Sequence, residues 1–177
     1  MKFDYKKILY PTLSLVCICL AASLLLAFTN DLTKDVIADS AKQAEIKQRG
    51  EVFASASSFE EKDGYVCCLD GEGTVIGYIF VTVGKGYGGD ISVMTGIGTD
   101  GKITGVKVIS HGETSSYGGK AIANNFTDEY SGKTAETFVK GKNIDGWTGA
   151  TRTTNGVISA VNEAVSKYNE VKGGETK

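Results

Sequence analysis

From Ile8 to Phe28 the chain carries no charged residue, and this run constrains the fold more than any other feature. As a helix it would rise about 31 Å, matching a hydrocarbon core of about 30 Å. Pro11 falls in the first turn, where a missing N–H costs little. Lys2, Lys6 and Lys7 precede the run, and Asp31 and Asp35 follow it. That excess of positive charge predicts a cytoplasmic N-terminus over 1–7 and a transmembrane helix over 8–28. The remainder is then expected on the extracytoplasmic side of the cell (inner) membrane. The competing reading is a cleaved signal peptide, which needs a shorter apolar core and a small-x-small cleavage site. Ala21, Ala22 and Ala27 are small, but Leu24, Leu25 and Leu26 carry the apolar run past the first two. Neither Cys17 nor Cys19 follows the Leu and small residues of a lipoprotein signal. A retained single-pass anchor is therefore expected.

Beyond the span, the rest of the chain is about the size of one ordinary domain with a single core. The net charge is −2, and the Lys and Arg residues are interleaved with acids. Nucleic-acid binding needs clustered cations to neutralise phosphates, so no nucleic-acid partner is expected. Glycine accounts for 23 of 177 residues, well above the usual share of about 7%. The glycines fall between predicted strands and mark turns, not disorder. Cys67 and Cys68 are adjacent in a predicted strand, so they point to opposite faces and cannot easily bridge each other. There is no CxxC pair, and His111 is the single histidine. A zinc or iron–sulfur site built by this chain alone is not expected.

Leu32 to Arg49 lacks Gly and Pro and is rich in Ala, Lys, Gln and Glu. It reads as a membrane-proximal helix within 29–50, stopped by Gly50. Tyr65–Leu69 and Thr74–Val83 read as strands joined by Asp70-Gly71-Glu72-Gly73. Ile91–Ile97 and Ile103–Ile109 form a second pair, with Asp100-Gly101 as the hairpin turn. Ile122, Phe126 and Tyr130 recur at helical spacing and predict an amphipathic helix over Lys120–Tyr130. Val157, Ile158, Val161, Ala164, Val165 and Tyr168 predict another over Thr154–Tyr168. Antiparallel hairpins followed by helices make an α+β domain, placed at 51–171, with a polar flexible tail at 172–177.

Gly84-Lys85-Gly86-Tyr87-Gly88-Gly89 matches the G-x-G-x-x-G dinucleotide fingerprint. A Rossmann glycine loop opens a helix, whereas Asp90-Ile91-Ser92-Val93-Met94 continues as a strand, so that reading fails. Gly118-Gly119-Lys120 is no P-loop, because Ala121 occupies the Ser/Thr position. The informative stretch is Asp145-Gly146-Trp147-Thr148-Gly149-Ala150-Thr151-Arg152-Thr153-Thr154, directly before an amphipathic helix. Two physical readings are open. Free N–H groups at a helix start, with the positive end of the macrodipole, bind phosphate. Alternatively, Thr153 or Thr154 simply caps the helix.

The run Asp145-x-x-Thr148-Gly149-Ala150-Thr151-x-Thr153 resembles the flavinylation motif of the FMN-binding domain family. That family includes the G subunit of the Rnf complex and the C subunit of the sodium-pumping NADH:quinone oxidoreductase. Gly86-Tyr87-Gly88-Gly89-Asp90-Ile91 is similar to the family's Gly-Tyr-x-Gly-x-Ile segment. Asp100-Gly101-Lys102-Ile103-Thr104-Gly105, followed by His111-Gly112-Glu113-Thr114, resembles the strand and loop leading to Glu-Thr-Pro-Gly-Leu-Gly. Ser115-Ser116-Tyr117 departs from the usual Pro-Gly-Leu, and Thr154 replaces a common Ser.

The resemblance implies that FMN is joined covalently to Thr151 through a phosphoester. A flavin transferase would donate it from FAD with magnesium, and Asp145 matches the acid preceding the acceptor. Thr148, Gly149, Ala150 and Thr153 complete the implied site. Glu113 and Thr114 either hydrogen-bond the flavin or form a turn-stabilising pair. Trp147 either stacks on the isoalloxazine or packs in a core or interface. His111 is expected to make loop hydrogen bonds. The implied role is an electron-transfer subunit of an Rnf-type ferredoxin:NAD complex, working with other membrane and peripheral subunits. The alternatives are a freestanding extracytoplasmic flavin carrier and the quinone-reductase C subunit. No acid–base pair or nucleophile–base constellation appears, so no independent catalytic site is expected and the redox chemistry would belong to the cofactor.

Overall fold

The computed structural model describes residues 5–174. Helix α1 runs from Tyr5 to Val52. It contains Thr12–Lys34, a segment of 23 residues with mean hydropathy 2.3, none of it buried, and long and apolar enough to cross a membrane. Lys2 and Lys177 lie outside the described residues, and the side chains of Lys6, Lys7 and Asp35 are likewise outside them. The chain divides into two compact units between Glu45 and Ile46.

The second unit starts with the last turns of α1. Gly50 does not stop this helix, which continues to Val52 and closes with Phe53 N–H donating to Arg49 O at 2.8 Å. A helical glycine costs about 1 kcal/mol, while burying one large apolar side chain returns about 1.5–3 kcal/mol. Val52 and Phe53 are both buried, so burial outweighs the glycine.

Five strands then form one antiparallel meander: β1 Ser58–Lys62, β2 Tyr65–Leu69, β3 Val75–Lys85, β4 Asp90–Gly98 and β5 Ile103–His111. Gly101 has φ 79° in the β4–β5 turn, where its N–H donates to Gly98 O at 2.9 Å. The expected hairpins are present, each strand within a few residues of its predicted bounds. β1 is an addition. Its Ser-Phe-Glu-Glu-Lys sequence is almost fully exposed and shows no apolar alternation. It is a strand because its backbone ladders onto β2, with Phe59 opposite Cys68 and Glu61 opposite Val66. Charges along such an edge discourage further strand addition.

Alternation sends neighbouring side chains to opposite faces of the sheet. Cys67 joins the larger core with Tyr78, Phe80, Val93 and Val161. Cys68 joins a smaller one with Val52, Phe53, Ile79 and Met94, and burial pushes its thiol up to about 12.

The predicted helix over Lys120–Tyr130 divides in two. Helix α2 spans Gly118–Ala123, and a separate 3-10 turn spans Phe126–Tyr130. Between them Asn125 takes a left-handed φ of 52°, and the Asn124 side-chain amide donates back to Lys120 O at 2.7 Å. Asparagine competes with helical hydrogen bonding and tolerates that conformation, and burial of Thr127 and Tyr130 holds the broken form.

Helix α3, Thr151–Gly174, begins three residues before its predicted start and extends past Lys172. It lies over β3 and β4. A Cβ on Gly84 would stand 1.8 Å from Gly156 O, and one on Gly156 would stand 2.7 Å from Lys85 O. Helix and strand backbones therefore touch directly at this point. Thr82 Oγ1 donates to Ala160 O at 2.8 Å, and the Tyr168 hydroxyl donates to Gly98 O at 3.1 Å. These contacts fix where the first turn of α3 comes to rest.

Candidate functional site

The chain enters α3 through Gly149, whose φ of 86° turns the backbone into the helix. Ala150 N–H donates to Trp147 O at 3.2 Å, and Ala150 O accepts the first helical bond from Thr154 N at 2.9 Å. Thr151 is thus the first helical residue, with an exposed side chain. The amides of the first turn lack intrahelical acceptors and carry the positive end of the helix dipole.

Three hydroxyls follow three different courses. Thr151 Oγ1 accepts from Lys140 Nζ at 3.4 Å. Thr153 is buried, and its hydroxyl donates to Glu113 Oε2 at 2.9 Å. Thr154 Oγ1 accepts from Trp147 N–H at 3.2 Å. Thr153 and Thr154 both lie inside the helix, so neither is its cap.

Glu113 joins the site together. Its Oε1 accepts from the backbone N–H of Tyr87 at 2.6 Å and of Gly88 at 3.2 Å, while Oε2 takes the Thr153 hydroxyl. Its own N–H donates to His111 Nδ1 at 3.2 Å. One buried carboxyl group therefore ties the β3–β4 turn to the start of α3. A Cβ on Gly118 would fall 2.3 Å from Glu113 Oε2 and 2.5 Å from Thr153 Oγ1, so only glycine leaves room for this contact.

A cleft of about 600 Å³ opens in front of this arrangement, lined by Tyr87, Thr114, Tyr117, Thr151, Arg152 and their neighbours. That size is within the range of small-molecule and cofactor sites. Of the residues singled out in the sequence, Gly149, Ala150, Thr151, Thr153, Glu113 and Thr114 all line it. Asp145 lies elsewhere, in a polar groove with Glu129, Lys133 and Asn143. Its backbone N–H donates to Glu129 Oε1 at 3.0 Å. Thr148 is exposed and Trp147 half-buried, and neither is part of the cleft lining.

Sequence reasoning missed Tyr87 and Tyr117 as wall residues. They are 69% and 65% exposed, and an aromatic between glycines, as in Gly86-Tyr87-Gly88, was the available signal. Lys140 gave no signal at all.

Residues 86–166 match the FMN-binding domain, and residues 1–52 match the RnfG N-terminal region. The G subunit of the Na(+)-translocating ferredoxin:NAD(+) oxidoreductase complex of Acetobacterium woodii is 32% identical, over 95% of this chain and 95% of its own. The chain belongs to the family of G subunits of ion-translocating ferredoxin:NAD(+) oxidoreductase complexes. The G subunit of the proton-translocating complex from Clostridium ljungdahlii is 29% identical over 97% of both chains. The crystal structure of Shewanella oneidensis NqrC shares the fold at a TM-score of 0.51 and 21% identity, covering 69% of this chain and 74% of that one. The cleft falls inside the FMN-binding stretch of the family, since Tyr87, Glu113, Tyr117 and Thr151 all lie within 86–166.

Proposed function

We propose that this chain is the membrane-anchored electron-transfer subunit of an ion-translocating ferredoxin:NAD oxidoreductase complex, with FMN esterified to Thr151. The carrying observation is an exposed threonine hydroxyl at the first turn of α3, opening on the cleft of an FMN-binding domain. The residues fit the group. Unpaired amides of the first turn and the helix dipole suit a phosphate, while the exposed rings of Tyr87 and Tyr117 suit a flat aromatic ligand.

Attachment is a balanced, redox-neutral exchange. Thr151 Oγ bonds to the FAD phosphorus nearer riboflavin, and the pyrophosphate bond to AMP breaks. The hydroxyl proton is released, and AMP leaves. A flavin transferase using magnesium would perform this step, and the exposed Asp145 in its separate groove is open to such a partner. Once attached, FMN supplies one- and two-electron transfer. The protein's part is to hold it, with Glu113 and Thr153 fixing the helix start and the glycine turn. Thr12–Lys34 is read as the anchor, with the N-terminus cytoplasmic and the flavin domain outside. A C-terminal phosphatase fusion is then active and a cytoplasm-dependent fluorescent fusion dark; the reverse pair refutes the orientation.

The chain co-expressed with the transferase is expected to give a fluorescent band that survives denaturing electrophoresis. Its intact mass should rise by one FMN less one water. Thr151→Val removes that increment and Thr148→Val keeps it; the opposite outcome overturns the assignment. Membranes carrying Thr151→Val should assemble the complex with normal subunit content yet lose ferredoxin-linked NAD reduction. Normal turnover in that assembled complex would instead favour a freestanding carrier.

A further inference from the structure

Lys140 lies eleven residues before the acceptor and belongs to no part of the motif, yet its Nζ donates to Thr151 Oγ1 at 3.4 Å. We propose that Lys140 is a positioning residue for the attachment step, holding the Thr151 oxygen and neutralising the phosphate that becomes joined to it. The proposal rests on Thr151 being the acceptor.

The placement is built from both sides. Phe138 N–H donates to Asn162 Oδ1 at 2.8 Å, and Asn162 Nδ2 donates to Phe138 O at 3.0 Å, fastening the segment before Lys140 to α3. On the other side Lys140 bridges to Ile144, and Gly141 N–H donates to Ile144 O at 2.9 Å. The lysine stem then passes over Gly146. A Cβ there would stand 2.8 Å from Lys140 Cε and 2.7 Å from Thr154 Cγ2. The missing side chain of Gly146 thus leaves the passage through which the ammonium reaches Thr151.

The chemistry gives this contact two effects. An ammonium donating to the hydroxyl oxygen stabilises the negative charge that grows there as the proton leaves. The same ammonium stays beside the phosphodiester afterwards, where it complements the one negative charge that remains. Both groups are exposed, so the effect is moderate and sensitive to salt.

The test is a time course of flavin attachment to the full-length chain, followed by intact mass, with the transferase, FAD and magnesium supplied. Lys140→Met should label about five-fold more slowly than wild type and reach the same final mass. Its thermal unfolding should be unchanged, since an exposed stem contributes little. Lys140→Arg should restore most of the rate. Lys120→Gln, which removes an exposed cation outside the cleft lining, should leave the rate near wild type. Added salt should slow wild type more than Lys140→Met. Equal labelling of Lys140→Met and wild type, or Lys140→Arg as slow as Lys140→Met, overturns the role of the lysine charge. Should Lys140→Met unfold, Lys140→Gln and the salt dependence of wild type decide the matter, and a salt-independent wild-type rate overturns the proposal. Labelling that persists in Thr151→Val is a different failure, that of the acceptor assignment itself.

Discussion

Asp145 and Thr151 are six residues apart in sequence and open onto different surfaces. Asp145 is in a polar groove of about 640 Å³ with Glu129, Lys133 and Asn143. It is held there by its backbone N–H on Glu129 and by Lys133 Nζ donating to Asn143 O at 2.7 Å. Thr151 is in the aromatic-walled cleft, at the start of a helix pinned by Glu113 and by the Gly84–Gly156 contact. The groove is a loop surface fastened by side chains near the protein exterior. The cleft is fastened to the sheet. A surface that a maturation partner must read has to be exposed, whereas a group that relays electrons has to be held at fixed positions. Under the proposed function, Asp145 would meet the first requirement and Thr151 the second.

The comparison breaks most completely at Gly156. Valine there would drive its side chain into the Lys85 carbonyl, and overpacking against backbone costs about 3 kcal/mol or more. Thermal unfolding followed by circular dichroism should show a large fall in Tm, with flavin attachment lost as well. A Tm close to wild type would mean that α3 is not held by this contact.

Glu113→Ala should separate the two regions. It deprives two backbone N–H groups and the Thr153 hydroxyl of their acceptor, for a loss of about 2–4 kcal/mol. Hydrogen exchange should rise at residues 86–89 and in the first turn of α3 while staying unchanged around Asp145. Equal loosening of both regions would show that they are one unit after all.

Asp145→Ala should do the converse. The side chain is exposed, so stability should stay within about 0.5 kcal/mol. Attachment should slow several-fold through a raised KM for the transferase. A slowed kcat at unchanged KM would place Asp145 in the chemistry and merge the halves. The smallest effect is expected from Tyr117→Leu, which removes an exposed aromatic ring from the cleft wall. It should leave folding and attachment intact and brighten the bound flavin by removing a phenol that quenches it; undiminished quenching would place the flavin ring away from this wall.

Local chemistry made much of this molecule legible. The uncharged run, the Asp100-Gly101 turn, the alternation that separates Cys67 from Cys68 and the apolar face of α3 are all written within a few residues of one another. So was the run from Gly149 to Thr153 as part of one cleft, because its residues are nearly contiguous. Reading failed where the deciding partner was distant. β1 exists through its ladder to β2, since its own side chains show no strand period. The helix expected over Lys120–Tyr130 divides at Asn125 because burial of Thr127 and Tyr130 favours the break, which periodicity alone does not register.

The sequence by itself determined an apolar segment long enough to span a membrane, an α+β domain and a threonine close to the start of an amphipathic helix. Only the tertiary structure decided which groups surround that threonine. Tyr87, the Glu113–Tyr117 loop and Lys140 come from three separate stretches of chain, the first two lining the cleft it opens on and Lys140 donating to its hydroxyl. They converge because Gly84 and Gly156 let α3 touch the sheet and because Gly146 leaves a path for a lysine stem. Close approach of distant backbones depends on the absence of side chains at particular points in space, and spacing along the chain carries no measure of that.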